Sequence, residues 1–146
     1  DETGIAALVD QQFVVAKQVC NAGLVPIIEP EVNIHSESKA AAEDMLRDAL
    51  MRHVNALPEG EMVMLKLTIP EVAGQYDALA AHANVLRVVA LSGGYSTDEA
   101  CAKISQNSSM SFSRALTEGL SVKMSDAAFD AALGENIDKI YNASVA

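Results

Sequence analysis

Residues 63–70 read VMLKLTIP, a run of apolar, β-favouring side chains interrupted by Lys66. A lysine almost never goes fully inside a protein unless something pairs with it or puts it to use. In residues 24–32, LVPIIEPEV, Glu29 and Glu31 stand two apart in a second apolar run. In residues 91–96, LSGGYS, Ser92, Gly93 and Gly94 lie between an apolar run and a helix-start signal. Backbone N–H groups in such a turn can hold a phosphate. Arg114, in SMSFSRAL at 109–116, brings a guanidinium whose paired donors match a phosphate. The chain thus offers an amine, two carboxylates and the parts of a phosphate cradle. Each also has a plainer reading. A strand-end lysine can snorkel to water, two glutamates can be a solvated loop pair, and two glycines can simply make a βα turn.

The elements that must carry these residues follow from periodicity. Residues 5–22 place Leu8 or Val9, Phe13, Ala16 and Cys20 at helical spacing, with Gly23 as a stop. Residues 24–32 read as a short extended run. Residues 37–57 form an amphipathic helix, capped by Ser36 or Ser38, with Leu46, Ala49, Leu50 and Val54 as its stripe. Residues 63–69 are a strand, and residues 70–82 a helix with Pro70 near its first turn. Residues 85–93 read as a buried-type strand. Ser96-Thr97-Asp98-Glu99 fits a capping box and opens a helix to about Gln106. Residues 109–116 are a weaker strand, and 126–143 a closing helix with Phe129, Leu133, Ile137, Ile140 and Tyr141 as its stripe.

Strands alternating with helices mean a parallel sheet with right-handed crossovers, here in four βα units. Four such units are half of an eightfold barrel, or a small open doubly wound sheet. Strand parity separates the two. Met64, Lys66 and Thr68 share one face, and so do Ile27, Glu29 and Glu31. The opposite faces, roughly Val25 and Ile28, then Val63, Leu65, Leu67 and Ile69, are apolar and take the helices. In an open sheet covered on both sides the charges would be badly buried. In a barrel that face is the interior, whose upper layer is where such groups work. The charges favour the barrel.

The chain has 146 residues, which predicts one domain without a linker over 1–146. Ten basic residues face twenty acidic ones, a net charge of -10, which argues against nucleic-acid binding by bulk electrostatics. An anionic ligand needs a local site that overrides this field. The longest apolar runs are too short to span a bilayer, and no leader is visible. Cys20 and Cys101 are isolated thiols, read as small core residues of a reduced, cytoplasmic protein. His35 reads as an exposed loop residue, and His53 and His82 lie on helices without metal-ligand spacing, so no metal or cofactor is expected. Tyr95 follows the glycines and shapes their loop.

GLVPIIEPEV, VMLKLTIPE, LRVVALSGGYS and SFSRALTEGL resemble strands five to eight of class I fructose-1,6-bisphosphate aldolase in its bacterial form. The similarity runs from GIAALVDQQF to the final IYNASVA. It implies the C-terminal half of a (β/α)8 TIM barrel. It implies metal-independent, reversible cleavage of fructose-1,6-bisphosphate to dihydroxyacetone phosphate and glyceraldehyde-3-phosphate through a lysine Schiff base. The Schiff-base lysine falls on Lys66, the proton shuttle on Glu29 and the orienting, charge-balancing carboxylate on Glu31. Ser92, Gly93, Gly94 and Arg114 hold the ketose phosphate. The answer to the opening lysine is then nucleophilic: an amine attacks a ketone only when unprotonated, and burial beside a cation favours that form.

Three departures accompany the resemblance. The family is about twice this length, and strands one to four, with an acidic residue and two lysines of the site, have no counterpart here. The chain therefore carries the imine-forming half of the site and one phosphate site, and turnover requires the other half. Homo-oligomerisation or pairing with the missing half-barrel would cover the open strand edges. The segment before SFSR is shorter than usual, which bears on the register of Arg114. Finally, the long C-terminal tail of vertebrate members has no counterpart, so its tyrosine role is not carried to Tyr141. Two other classes fit less well: a different Schiff-base sugar-phosphate aldolase, which EPE with LSGG disfavours, and a phosphate-binding half-barrel without turnover.

Overall fold

The computed structural model describes residues 1–107, 110–112 and 114–145. Helix α1 (Glu2–Asn21) is capped by Asp1, whose carboxylate accepts from the Gly4 amide at 2.9 Å. Its buried stripe is Val9, Phe13 and Ala16. Leu8 is exposed and Cys20 half-buried, so the stripe takes the Val9 alternative and stops a turn early. Strand β1 is only Ile27–Ile28, helix α2 spans Lys39–Asn55 and strand β2 spans Val63–Thr68. Helix α3 is Asp77–Ala80, strand β3 Val85–Leu91, helix α4 Thr97–Ile104 and strand β4 Met110–Phe112. A 3-10 turn at Arg114–Thr117 leads to helix α5, Asp126–Ser144.

The strands form one parallel sheet in the order β1-β2-β3-β4. Val63 pairs with Val85 but Met64 with Arg87, so Leu86 is an extra, exposed residue in a bulge. Beyond it the faces sort cleanly. Leu65, Leu67, Val88 and Ala90 lie on the helix-covered side with Leu46, Leu50 and Val54 of α2. Lys66 and Thr68 pair with Val89 and Leu91 and lie on the other side. Each fully buried leucine of β2 contributes about 1.5–3 kcal/mol through removal of its apolar surface from water.

Several expectations change. The extended run 24–32 shrinks to a two-residue strand, because Pro30 has no N–H to donate and the ladder cannot pass it. Within that run Pro26 and Ile28 face the helices, whereas Val25 is exposed. The helix expected over 70–82 is confined to four residues. Its early backbone donors go elsewhere: the Glu71 amide to Glu43 and the Gly74 amide to Asn107, with Gly74 at φ +76. His82 consequently lies in the turn after α3. The weak strand over 109–116 is reduced to β4, with residues 108, 109 and 113 outside the described ones.

On α5 only Ile140 of the expected stripe is buried, while Phe129, Ile137 and Tyr141 are exposed. Cys101 is half-buried against the core rather than within it, and burial raises its thiol pKa. Among the described residues no helix is long and apolar enough to cross a membrane.

Candidate active site

The register of β1 on β2 pairs Ile27 with Met64 and Ile28 with Leu65, which carries Glu29 to the level of Lys66. Alternation then puts Glu29 and Lys66 on the same open face, and the Lys66 ammonium donates to a Glu29 carboxylate oxygen. Buried Pro30 turns inward, and Glu31 returns to the open face. The Lys66 and Glu29 side chains are 34% and 48% exposed, so their ion pair is screened by water and contributes at most about 1 kcal/mol. Lys66 is thus partly open in this half of the expected barrel, because no described element covers its face.

The glycine loop follows β3. Gly93 has φ +62 and Gly94 φ +115, conformations that favour glycine. The Tyr95 amide donates to the Ser92 carbonyl at 3.0 Å and closes the turn. Ser96 and Glu99 then form the expected capping box at the start of α4. The Ser96 hydroxyl and amide hold the Glu99 carboxyl below its usual pKa. Ile34, from the segment after the two glutamates, packs on the loop. A Cβ at Gly93 would lie 2.8 Å from the Ile34 Cγ2. We expect Gly93→Ala to cost about 1–3 kcal/mol, from left-handed strain plus this contact, as thermal unfolding of the variant checks.

Glu29, Glu31, Lys66, Ala90, Leu91, Gly93 and Gly94 line one cleft of about 480 Å³, a size suited to a small organic ligand. Five of these seven are residues singled out from the sequence. Ser92 is buried beneath the loop and does not line the cleft. Arg114 opens the 3-10 turn at the end of the last strand, and its side chain lies outside the described part of the structure. The arrangement presents a primary amine in contact with a carboxylate, next to a loop of exposed backbone. Such a group can form a covalent bond to a carbonyl while its neighbour moves protons.

Sequence reasoning passed over two supports of this cleft. Lys39 and Glu43 are buried, 4% and 1% exposed, and form an ion pair. The Lys39 ammonium also donates to the Ile69 carbonyl at 2.9 Å, and Glu43 accepts from the Glu71 amide at 2.9 Å. The pair therefore grips the chain on both sides of Pro70, where it leaves the lysine strand. Its signal was the spacing: Lys39, Glu43, Leu46 and Leu50 form one stripe of α2. Burial, and then the Glu43 carboxylate, push the phenol of nearby Tyr76 well above its usual pKa. The second support is Thr68, whose hydroxyl accepts from the Val32 amide at 2.9 Å and donates to the Val32 carbonyl at 3.0 Å. Its signal was shared parity with Lys66.

No family model matches the sequence. Comparison with curated proteins finds 58% identity over 144 residues with a fructose-bisphosphate aldolase class 1 of Synechocystis sp.. The match covers 97% of this chain and 48% of that protein. The chain spans about half the length of the curated relative it matches.

Proposed function

The chain is a homologue of class 1 fructose-bisphosphate aldolase over about half of that protein's length, and from that premise we propose that it carries the imine-forming part of a sugar-phosphate aldolase site. In this reading the parallel sheet is strands five to eight of a (β/α)8 barrel, and its open face is the barrel interior. The whole protein would cleave fructose-1,6-bisphosphate reversibly as a metal-independent, cytoplasmic lyase. The missing strands would come from a longer chain or a paired half, and the whole would assemble as a homo-oligomer.

The chemistry assigns each side chain a task. The neutral Lys66 amine adds to the C2 ketone of the substrate and forms a carbinolamine. Glu29 holds the proton that the Lys66 ammonium gave up to become neutral. The nitrogen's extra proton passes to the new alkoxide, and Glu29 then delivers its own to that hydroxyl, so water leaves and a protonated imine remains. The iminium then accepts the electron pair of the breaking C3–C4 bond while the C4 hydroxyl gives its proton to a carboxylate that the missing strands would supply. That gives glyceraldehyde-3-phosphate and an enamine, and protonation at carbon followed by hydrolysis releases dihydroxyacetone phosphate and restores Lys66. Glu31, on the same face, balances the iminium charge. Ser92, Gly93, Gly94 and Arg114 hold the ketose phosphate.

The observation that carries the reading is the contact of Lys66 with Glu29 in a cleft that the glycine loop also lines. The test is mass spectrometry of the natural full-length gene product after dihydroxyacetone phosphate and borohydride. An adduct mapping to Lys66 is expected. Absence of any adduct on the folded protein, or an adduct confined to another lysine, overturns the assignment.

A further inference from the structure

We propose that Thr68 is a positioning residue for this site, its hydroxyl setting the height of the Glu29–Glu31 segment against the lysine strand. The inference rests on the imine-forming reading of Lys66 and adds to it a residue that touches neither substrate nor the cleft.

The reason lies in a gap in the backbone ladder. Strand β1 pairs with β2 only at Ile27–Met64 and Ile28–Leu65. Glu29 comes next, and Pro30 then lacks the N–H that a further ladder bond would need. Beyond Glu29, buried Pro30 and the packing of Ile34 on the glycine loop hold the segment, but no further ladder pair ties its backbone to β2. Thr68 supplies the tie. Its single hydroxyl accepts from the Val32 amide at 2.9 Å and donates to the Val32 carbonyl at 3.0 Å, so it serves both main-chain groups of one residue as a neighbouring strand would. Glu29 and Glu31 are thereby bracketed between the Ile28–Leu65 pair and the Thr68 clasp.

Thr68 shares its face with Lys66, two residues earlier on the same strand, yet it is 1% exposed. The Val32–Ile34 stretch and the glycine loop cover it. Its methyl group lies 3.4 Å from the position a Cβ would take on Gly93. One side chain therefore links the strand of the amine, the segment of the carboxylates and the loop. A buried hydroxyl with both hydrogen bonds made is a costly group to misplace, and the geometry it fixes is the separation between Glu29 and Lys66. Thr68 does not line the cleft, so its effect reaches the reaction through Glu29.

The test uses the natural full-length gene product and three variants. Thr68→Val keeps the shape and removes the hydroxyl, and Thr68→Ser keeps the hydroxyl. Thr68→Cys, close in size but a weak donor, replaces the valine variant should that one not fold. The readouts are the rate of borohydride-trappable adduct at Lys66 with dihydroxyacetone phosphate, per folded molecule, and hydrogen exchange at the Val32 amide. We expect the valine variant to form adduct roughly 10- to 100-fold more slowly, as a misplacement of about 1 Å produces, and the serine variant to recover to within about threefold of wild type. The Val32 amide should exchange faster in Thr68→Val and regain protection in Thr68→Ser. A valine variant with lowered Tm but wild-type adduct rate per folded molecule overturns the inference and leaves the Lys66 reading intact. Wild-type protein that forms no adduct overturns both, and the exchange data then report on the clasp alone.

Discussion

Replacing Lys66 with methionine should abolish adduct formation with dihydroxyacetone phosphate and borohydride, and lower turnover of the full-length protein by at least ~10⁴-fold, the scale of loss when a covalent nucleophile is removed. The same change should leave stability nearly untouched. Lys66 is partly exposed, and among the described residues its ion pair is with a half-exposed glutamate. Such a pair contributes about 0–1 kcal/mol. Methionine fills the space of the stem and suits the apolar neighbours Met64 and Val89. Lys66→Arg sharpens the test, because it keeps the charge and the contact with Glu29 but offers no nucleophilic amine. Both variants should be equally inactive and equally well folded. Turnover retained by either, measured by coupled assay alongside thermal unfolding, would remove Lys66 from the chemistry.

The largest stability effect is expected at Glu43. Glu43→Ala leaves the Lys39 ammonium, 4% exposed, with the Ile69 carbonyl and a half-exposed Glu71 carboxylate 3.9 Å away, and removes the acceptor of the Glu71 amide. Breaking a buried pair from one side typically costs about 3–5 kcal/mol, a large share of the stability of an ordinary domain. Lys39→Met should cost a similar amount, because it leaves the Glu43 carboxylate, 1% exposed, without its cation. In Lys39→Met/Glu43→Leu no charge remains inside, and the loss should fall about 1–3 kcal/mol below that of either single change. It should not vanish, since the Ile69 carbonyl and the Glu71 amide still lose partners. Urea unfolding of the two single variants and the double one completes the cycle. Strictly additive losses would show that the two side chains act independently.

The parts of the fold legible in the sequence are those that burial alone decides. Alternation in residues 63–69 marks Leu65 and Leu67 for the helices and Lys66 and Thr68 for the other face, and the structure agrees. The Leu46–Leu50–Val54 stripe of α2 and the Ser96–Glu99 capping box are equally local signals. What escaped depends on partners distant in the chain. The segment 70–76 has helical composition, but Glu43 and Asn107 take its amides from 28 and 33 residues away. The stripe of α5 follows from periodicity, which gives a face but not what covers it. Phe129, Ile137 and Tyr141 remain exposed among the described residues.

The candidate site divides in the same way. Strand face and loop position are enough to gather Glu29, Glu31, Lys66, Gly93 and Gly94 from the sequence alone. They are not enough for Thr68 and the Lys39–Glu43 pair, because a polar residue on an amphipathic element reads as solvated until its neighbours are known. Ser92 belongs to the loop but beneath it, a distinction that spacing does not carry.

The brevity of β1, set between Pro26 and Pro30, also bears on how the chain avoids sticking to itself. Among the described strands β1 lies at the margin, where the proposed barrel would seat its strand four. Until that strand docks, a margin with a long row of unpaired amides is a template for intermolecular pairing and aggregation. Here the row is two residues long, and neither flanking proline has an N–H to offer. A newly made chain that has folded this sheet presents little at that margin for a second copy to extend. The interruption that obliges Thr68 to clasp Val32 thus also limits fibrous self-association in the interval before the rest of the barrel docks.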